Sequence, residues 1–220
     1  MRQLLLKLAN DKSAHSLSSQ FRNKRFVLFK ELFDALPKPV KILDVGGRPD
    51  IWEREGFCKS ELNCTITIIN PEEIEINVPN IYVSVGDARS MTQFSNEEFD
   101  IVFSNSVIEH VGGYDDQQKM ANEIQRVGKQ YFVQTPNKFF PVEPHFIFPL
   151  FQFFPSWLKI LLIRNFSLGN RTKASSIAEA RETVGSIDLL SKQKFSTLFP
   201  RSKIFEEKIL GLTKSFVAYR

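Results

Sequence analysis

Val40-Lys41-Ile42-Leu43-Asp44-Val45-Gly46-Gly47-Arg48 decides how the chain is read. It opens as a run of aliphatic and β-branched residues, the pattern of a strand buried on both faces of a parallel sheet. It then breaks into an acidic residue and two glycines. Paired glycines let the backbone turn sharply and leave room for a ligand to approach the main chain. A strand ending this way delivers a small ligand to the carboxyl edge of an open α/β sheet.

Working outward, the same grammar recurs. On the N-terminal side, residues 20–36 read as a helix, with Phe21, Arg25, Leu28, Phe29, Leu32 and Leu36 near the 3.6 period. Pro37-Lys38-Pro39 ends it. Residues 1–20 read as a short amphipathic helix and a Ser-rich link, so that 1–36 is a helical N-terminal segment. On the C-terminal side, Arg48-Pro49-Asp50 starts a short helix. Strands are expected over Cys64–Asn70, Ile81–Val85, Phe99–Ser106 and Gln130–Thr135, and a helix over Asp115–Val127. Five strands with helical or potentially helical connections imply βαβ units and a parallel sheet. The alternation stops at Phe139. Residues 139–187 are aromatic and then polar, an insertion that reads as a lid or a substrate-binding element. A helix over Ser191–Leu198 follows, then two strands, Lys203–Leu210 and Thr213–Tyr219, whose tight Gly211-Leu212 connection makes an antiparallel hairpin.

Composition bounds the function. At 220 residues the chain suits a single domain, 1–220. A formal charge of +4 without any basic run longer than a pair is too mild for a nucleic-acid partner. Cys58 and Cys64 lack the spacing of a zinc site or a disulfide framework, and no metal-ligand set is read from the sequence. The N-terminal apolar run is short and broken by Lys7, so no signal peptide is read and a cytoplasmic location is expected. Phenylalanine is abundant, with 21 residues, and it clusters in the stretch from Phe139 to Phe166. The tract from Phe139 to Phe166 carries Pro141, Pro144, Pro149, Pro155 and Lys159, too many breaks for a spanning helix. It is either a lid over the sheet edge or an interfacial patch. In the second case residues 146–163 make a peripheral membrane contact, with Phe148, Leu150, Phe151, Phe153, Phe154, Trp157 and Leu158 facing it.

Ile-Leu-Asp-Val-Gly-Gly at 42–47, Gly-Asp-Ala at 86–88, Phe-Asp-Ile-Val-Phe-Ser-Asn-Ser-Val-Ile-Glu-His-Val at 99–111 and Gly-Leu-Thr-Lys-Ser-Phe-Val-Ala-Tyr at 211–219 resemble class I S-adenosylmethionine-dependent methyltransferases of the small-molecule type. The resemblance implies a three-layer Rossmann-like α/β sheet of seven strands, mostly parallel with an antiparallel C-terminal strand. It implies S-adenosylmethionine as cofactor, a ligand without a phosphate. The absence here of the GxGxxG dinucleotide pattern agrees with that and counts against a nicotinamide enzyme. By resemblance, Asp44, Gly46 and Gly47 line the methionine end. Asp87, with Ala88 beside it, accepts from the adenine amino group. Ser104, Asn105 and Ser106 border the transferable methyl, and Glu109-His110 shapes the site floor, with His110 either structural or a contact.

Two positions depart from the family pattern. Arg48 stands where DxGxG has its second glycine. It is either a surface cation or a partner of the cofactor's carboxylate, a job for which Arg25 competes. Asn70 stands where the family places an acidic residue against the ribose; an amide can accept one hydroxyl and donate to another, and Glu72 or Glu73 could serve instead. His145, after the fifth strand, is the candidate general base for a hydroxyl acceptor. The expected acceptor is a small molecule, a glycan or a lipid-linked compound. The competing readings are a non-catalytic cofactor-binding module and a nucleic-acid methyltransferase. The latter lacks its Asn-Pro-Pro-Tyr type of signature, since Ser104-Asn105-Ser106-Val107 occupies that place.

Overall fold

In the computed structural model, residues 17–76, 78–169 and 171–220 are described. The reading of residues 1–16 lies outside them. The helix α1 runs over Leu17–Asp34, β1 over Val40–Val45, α2 over Pro49–Arg54, β2 over Cys64–Asn70, β3 over Ile81–Val85 and β4 over Phe99–Asn105. Then come α3 (Tyr114–Val127), β5 (Gly128–Pro136), the two-residue strands β6 (Val142–Glu143) and β7 (Phe148–Pro149), α4 (Ser156–Asn165), α5 (Ile177–Gly185), α6 (Lys192–Leu198), β8 (Lys203–Ile209) and β9 (Leu212–Tyr219). Seven strands form one sheet in the order β3-β2-β1-β4-β5-β9-β8. Pairs within β3-β2-β1-β4-β5 are parallel, and β9 is antiparallel to both β5 and β8. The last strand in the chain therefore lies inside the sheet, between β5 and the edge strand β8.

β1 sits at the centre because both its faces are apolar. Val40 and Ile42 point into one core, where Phe26, Phe29 and Phe33 of α1 meet Trp52 of α2, Phe57 and Phe103. Leu43 and Val45 point into the other, with Met120, Ile124 and Val127 of α3 and Phe195, Leu198 and Phe199 at α6. An apolar run with no polar alternation is what a strand covered by helices on both sides requires. The first core is largely aromatic. Phe29 packs edge-on against Trp52, Phe103 and Phe132 at centroid distances of 5.6, 5.0 and 5.6 Å.

Three expectations are corrected here. The buried face of α1 is Phe26, Phe29 and Phe33, while Leu28, Leu32 and Leu36 lie at its margin; the aromatic rings claim the centre because they remove the most surface from water. The connections β2–β3 and β3–β4 contain no helix, so helices cover the sheet centre and leave Tyr82 and Val85 exposed on the edge strand β3. And Phe148, Phe151 and Phe154 of the aromatic tract do not face outward. They turn inward with Phe146, Ile163, Ala174 and Ala180 to form a third, smaller core belonging to the insertion itself. The large apolar side chains left exposed within the tract from Phe139 to Phe166 are Phe139, Leu150, Phe153, Trp157, Leu161 and Phe166. No helix among the described residues is long and apolar enough to cross a membrane.

The hairpin at the C-terminus closes through Leu210 and Gly211, both at positive φ (49° and 83°), the backbone of a two-residue type I′ turn.

Replacing Phe29, fully buried at the centre of the aromatic core, should test that packing. Phe29→Ala is expected to destabilise the protein by about 3–5 kcal/mol in urea denaturation. A loss below about 1 kcal/mol would contradict the central role given to this ring.

Candidate active site

The glycine turn after β1 is built from below. Asp44 faces the aromatic core and is 1% exposed. Trp52 Nε1 donates to Asp44 Oδ2 at 2.6 Å, tying α2 to the end of β1. A Cβ at Gly47 would lie 1.6 Å from Asp44 Oδ2, so no other residue could hold that position over the carboxyl. Gly46, at φ +73°, lies against Val107, and a Cβ there would come within 2.7 Å of both Val107 methyls. Asn70 at the end of β2 donates Nδ2 to the Gly47 carbonyl at 2.9 Å. Asn70 thus clamps the turn with one of its two amide hydrogens. Burial pushes the Asp44 carboxyl up to about 7, only partly offset by the indole hydrogen bond, and its Oδ1 has no partner among the described residues.

The two candidate arginines separate clearly. Arg48 is exposed and pairs with Asp50, also exposed, at 3.0 Å; such a pair contributes little. Arg25 is largely buried, pairs with buried Glu207 at 3.0 Å and donates Nη1 to Asn105 Oδ1 at 2.7 Å, at the mouth of β4. The guanidinium next to the strand mouths is therefore that of Arg25.

Asp87 sits in the turn after β3, and Ala88 packs back against the core. The Asp87 carboxylate is gripped by Arg89, with Nη2 2.6 Å and Nε 3.0 Å from Oδ2. The hydrogen bonds and charge of Arg89 hold its pKa below the ordinary carboxylate value. Arg89 also donates to the Val111 carbonyl at 3.2 Å and approaches Asp116 at 3.6 Å. It clips this turn to the start of α3.

At the mouth of β4 the three polar residues take different duties. Ser104 is fully buried and donates to the Val45 carbonyl at 3.2 Å, which makes it a brace between β4 and β1 and removes it from the site lining. Asn105 receives Arg25. Ser106 adopts φ +57°, a left-handed conformation unfavourable for a side-chain-bearing residue. It is held there by Gln134, whose carbonyl accepts from Ser106 N at 3.0 Å and whose Oε1 accepts from Ser106 Oγ at 2.8 Å.

One turn of 3-10 helix over Ile108–His110 then places Glu109 inward and His110 toward the insertion. His110 Nε2 meets His145 Nε2 at 3.1 Å. His110 Nδ1 bonds the Ser186 carbonyl at 3.1 Å, and His145 Nδ1 bonds Glu143 Oε1 at 2.7 Å. Phe146 N donates to the other Glu143 oxygen at 2.7 Å. Glu109 is fully buried and accepts from Thr135 Oγ1 at 3.0 Å. Burial pushes its pKa up to about 7. Desolvation, and then the facing His145, hold His110 below the usual histidine value. Glu143 also lines a cavity of about 120 Å³ beneath the insertion, together with Lys138, Phe146, Lys159 and Asp188.

Sequence reasoning singled out His110 and His145 separately. It missed their contact, the roles of Glu109 and Glu143 behind them, and Trp52 and Arg89. The Glu143-Pro144-His145 spacing was the one local signal available; the rest depends on how the insertion folds back.

Over part of its length the chain is similar to known proteins. Residues 60–131, about a third of the chain and spanning β2 to the start of β5, match the family described as "Methyltransferase domain". An uncharacterised protein of Mycobacterium tuberculosis, from strains CDC 1551 and H37Rv alike, is 36% identical over 131 residues, or 53% of this chain. The chain covers only 42% of that relative's length. Among solved structures, a S-adenosylmethionine-dependent methyltransferase of Methanosarcina mazei superposes with a TM-score of 0.50 at 12% identity, over 86% of this chain and 95% of its own. A Nostoc punctiforme protein provisionally described as an O-methyltransferase gives 0.53 at 12% identity, over 98% and 60%. A Galdieria sulphuraria protein provisionally described as a sarcosine dimethylglycine methyltransferase gives 0.52 at 15%, over 86% and 63%. Identities this low speak for the fold alone. Over that third of its length the chain is similar to the methyltransferase-domain family, and it shares its seven-stranded fold with solved methyltransferases.

The buried Asp44 carboxyl yields a pH test. Its proton stays on in the folded chain up to about pH 7 and leaves near pH 4 in the unfolded one. The folded state therefore binds more protons between these values, and the stability contributed by this group falls as pH rises through them. Asp44→Asn removes that dependence and keeps an acceptor for Trp52. Relative to the native protein, the variant's stability should climb from pH 4 to pH 7, by on the order of 2–4 kcal/mol in urea melts at stepped pH. A difference that stays constant with pH would show an ordinary carboxyl.

Proposed function

We propose that this protein is a methyltransferase that uses S-adenosylmethionine to methylate an oxygen acceptor brought between the mouth of β4 and the insertion. The observation that carries the reading is the glycine turn. Gly46 and Gly47 let the turn close tightly over Val107 and Asp44, above a buried carboxyl with one oxygen unpartnered among the described residues. Such an orphaned acceptor fits the ammonium of the methionine end. Arg25 is the cation for its carboxylate, in preference to Arg48. Asn70 Oδ1 remains to accept from a ribose hydroxyl, and Asp87 with Ala88 takes the adenine. Asn105 and Ser106 border the methyl; the strained backbone of Ser106 supports a working role there, since such strain concentrates at functional sites.

Methyl transfer is an in-line displacement. The acceptor oxygen forms the bond to the methyl carbon while the carbon–sulfur bond breaks, its electron pair going to sulfur. The protein's main task is to hold the two reactants in line. A hydroxyl acceptor must also lose its proton, and the Glu143–His145–His110 cluster favours that loss. The exposed Phe139, Phe153, Trp157 and Leu161 on and beside the insertion support an acceptor with an apolar or lipid-linked portion, met at a membrane surface.

Calorimetry with S-adenosylmethionine should give one site per chain, weakened about tenfold or more by Asp87→Ala. The absence of binding would leave a non-catalytic fold and overturn the reading. In a transfer assay with labelled S-adenosylmethionine over hydroxyl-bearing small molecules and lipid-linked acceptors, His145→Ala should lower turnover by about 10²–10⁴-fold with cofactor affinity unchanged. Unchanged turnover would remove His145 from the chemistry. Flotation with liposomes tests the apolar face: Trp157→Ser with Phe153→Ser should abolish co-flotation, and a native protein that binds no liposome would exclude the membrane-surface source.

A further inference from the structure

The two facing histidines have fixed tautomers. The Ser186 carbonyl can only accept, so His110 Nδ1 carries a hydrogen. Glu143 accepts from Phe146 N through one oxygen and faces His145 Nδ1 with the other, so His145 Nδ1 carries a hydrogen too. In the neutral rings both Nε2 atoms then present bare lone pairs. These point at one another across 3.1 Å. Two acceptors at that distance repel unless a positive charge sits between them.

A third ligand stands beside the pair. Glu109 is fully buried, and a carboxylate oxygen of Glu109 lies with the His110 and His145 ring nitrogens inside a group no wider than 4.8 Å. Thr135 serves Oε2, while Oε1 has no partner among the described residues. A proton shared by the imidazoles would relieve their repulsion and still leave Glu109 Oε1 buried and unsatisfied. A metal ion satisfies all three groups once the Glu109 oxygen closes by some tenths of an ångström, since two ligands at about 2.0–2.1 Å stand no more than about 4.2 Å apart. Imidazole nitrogens bind such ions at about 2.0–2.1 Å, so a 3.1 Å separation subtends about 97° at the metal, between the octahedral and tetrahedral angles. Two histidines and one carboxylate leave coordination positions open for substrate. The outer groups are also those expected of a metal centre: each ligating imidazole donates its other nitrogen to a carboxylate or a backbone carbonyl.

We propose that Glu109, His110 and His145 hold a divalent cation of the zinc, cobalt or manganese kind, and that this cation receives the acceptor's oxygen. The inference rests on the methyltransferase reading for its role but not for its geometry. The centre adjoins the cofactor turn, because His110 N bonds the Val107 carbonyl at 2.8 Å and the Val107 side chain lies against Gly46. An acceptor hydroxyl on the cation releases its proton to water near neutral pH. The resulting alkoxide or phenolate displaces sulfur from the methyl carbon and leaves as the ether, with S-adenosylhomocysteine as the second product. His145 then acts as a ligand and takes no proton from the acceptor.

Metal-stripped protein titrated with Zn²⁺ in a calorimeter tests this directly. One ion per chain should bind with a dissociation constant in the micromolar range or tighter. His110→Ala and His145→Ala should each weaken binding by about 100-fold, and Glu143→Gln by about 10–100-fold through the second shell. Co²⁺ should report the same site by its visible absorption. Should the alanine variants fail to fold, the nitrogen-15 shifts of His110 and His145 Nε2 in the native protein must move on adding Zn²⁺. Absent binding, binding untouched by the variants, or nitrogen shifts showing a shared proton that Zn²⁺ does not displace would each overturn the site. S-adenosylmethionine calorimetry on the same stripped protein separates the two readings. Cofactor binding without a cation site removes the metal alone; a cation site without cofactor binding removes the methyltransferase reading alone.

Discussion

Everything at the carboxyl edge of the sheet depends on one buried hydrogen bond, from the Trp52 indole to Asp44. A carboxyl taken out of water is costly unless something holds it. Here the donor is part of the aromatic core, so the same ring that packs against Phe26, Phe29, Phe57 and Phe103 also fixes the end of β1. The carboxyl in turn occupies the space a side chain at position 47 would need, which keeps that position a glycine. Asn70 secures the turn from the other side by taking the Gly47 carbonyl. Core packing and the glycine turn are therefore one construction, joined at Asp44.

The sheet was legible in the sequence because its signals are local. β1, β2, β3 and β5 carry near-continuous apolar runs bounded by glycine, proline or small polar residues, and β8–β9 are separated by a connection too short for anything except a hairpin. The site was legible only in outline. Asp44, Asp87 and the β4 mouth are named for the site by resemblance, and each stands at the end of a strand. What Asp44 touches depends on α2 folding back, and what Asp87 touches depends on Arg89 turning toward it. Arg48 and Arg25 look alike in a sequence; burial separates them. The approach of His110 to His145 joins positions 35 residues apart and exists only when the insertion closes over the strand mouths. Ser104 looked like its neighbours Asn105 and Ser106, yet strand alternation points it inward.

The insertion explains why charge accumulates where it does. Its aromatic residues make a core of their own, which lets it hold Glu143 and His145 at fixed positions without help from the main cores. Glu109 and Glu143 are both buried, one under β5 and one inside the insertion. Two acids so enclosed are stable only beside cationic or donor groups, and the imidazoles between them are the groups supplied. Polar chemistry is thus concentrated along the single seam where the insertion meets the parent sheet.

The two ends of the insertion meet. Asn137 bridges Leu190, and Lys138 N donates to the Leu190 carbonyl at 3.0 Å. A segment that departs and returns through adjacent backbone can be lengthened, shortened or exchanged without shifting the strands that bear it. The sheet keeps its strands and turns constant, and the insertion is a module that evolution or an engineer can replace whole. The price of that modularity is that His145 travels with the module while His110 stays behind. Any exchange must bring its own matching imidazole to the seam.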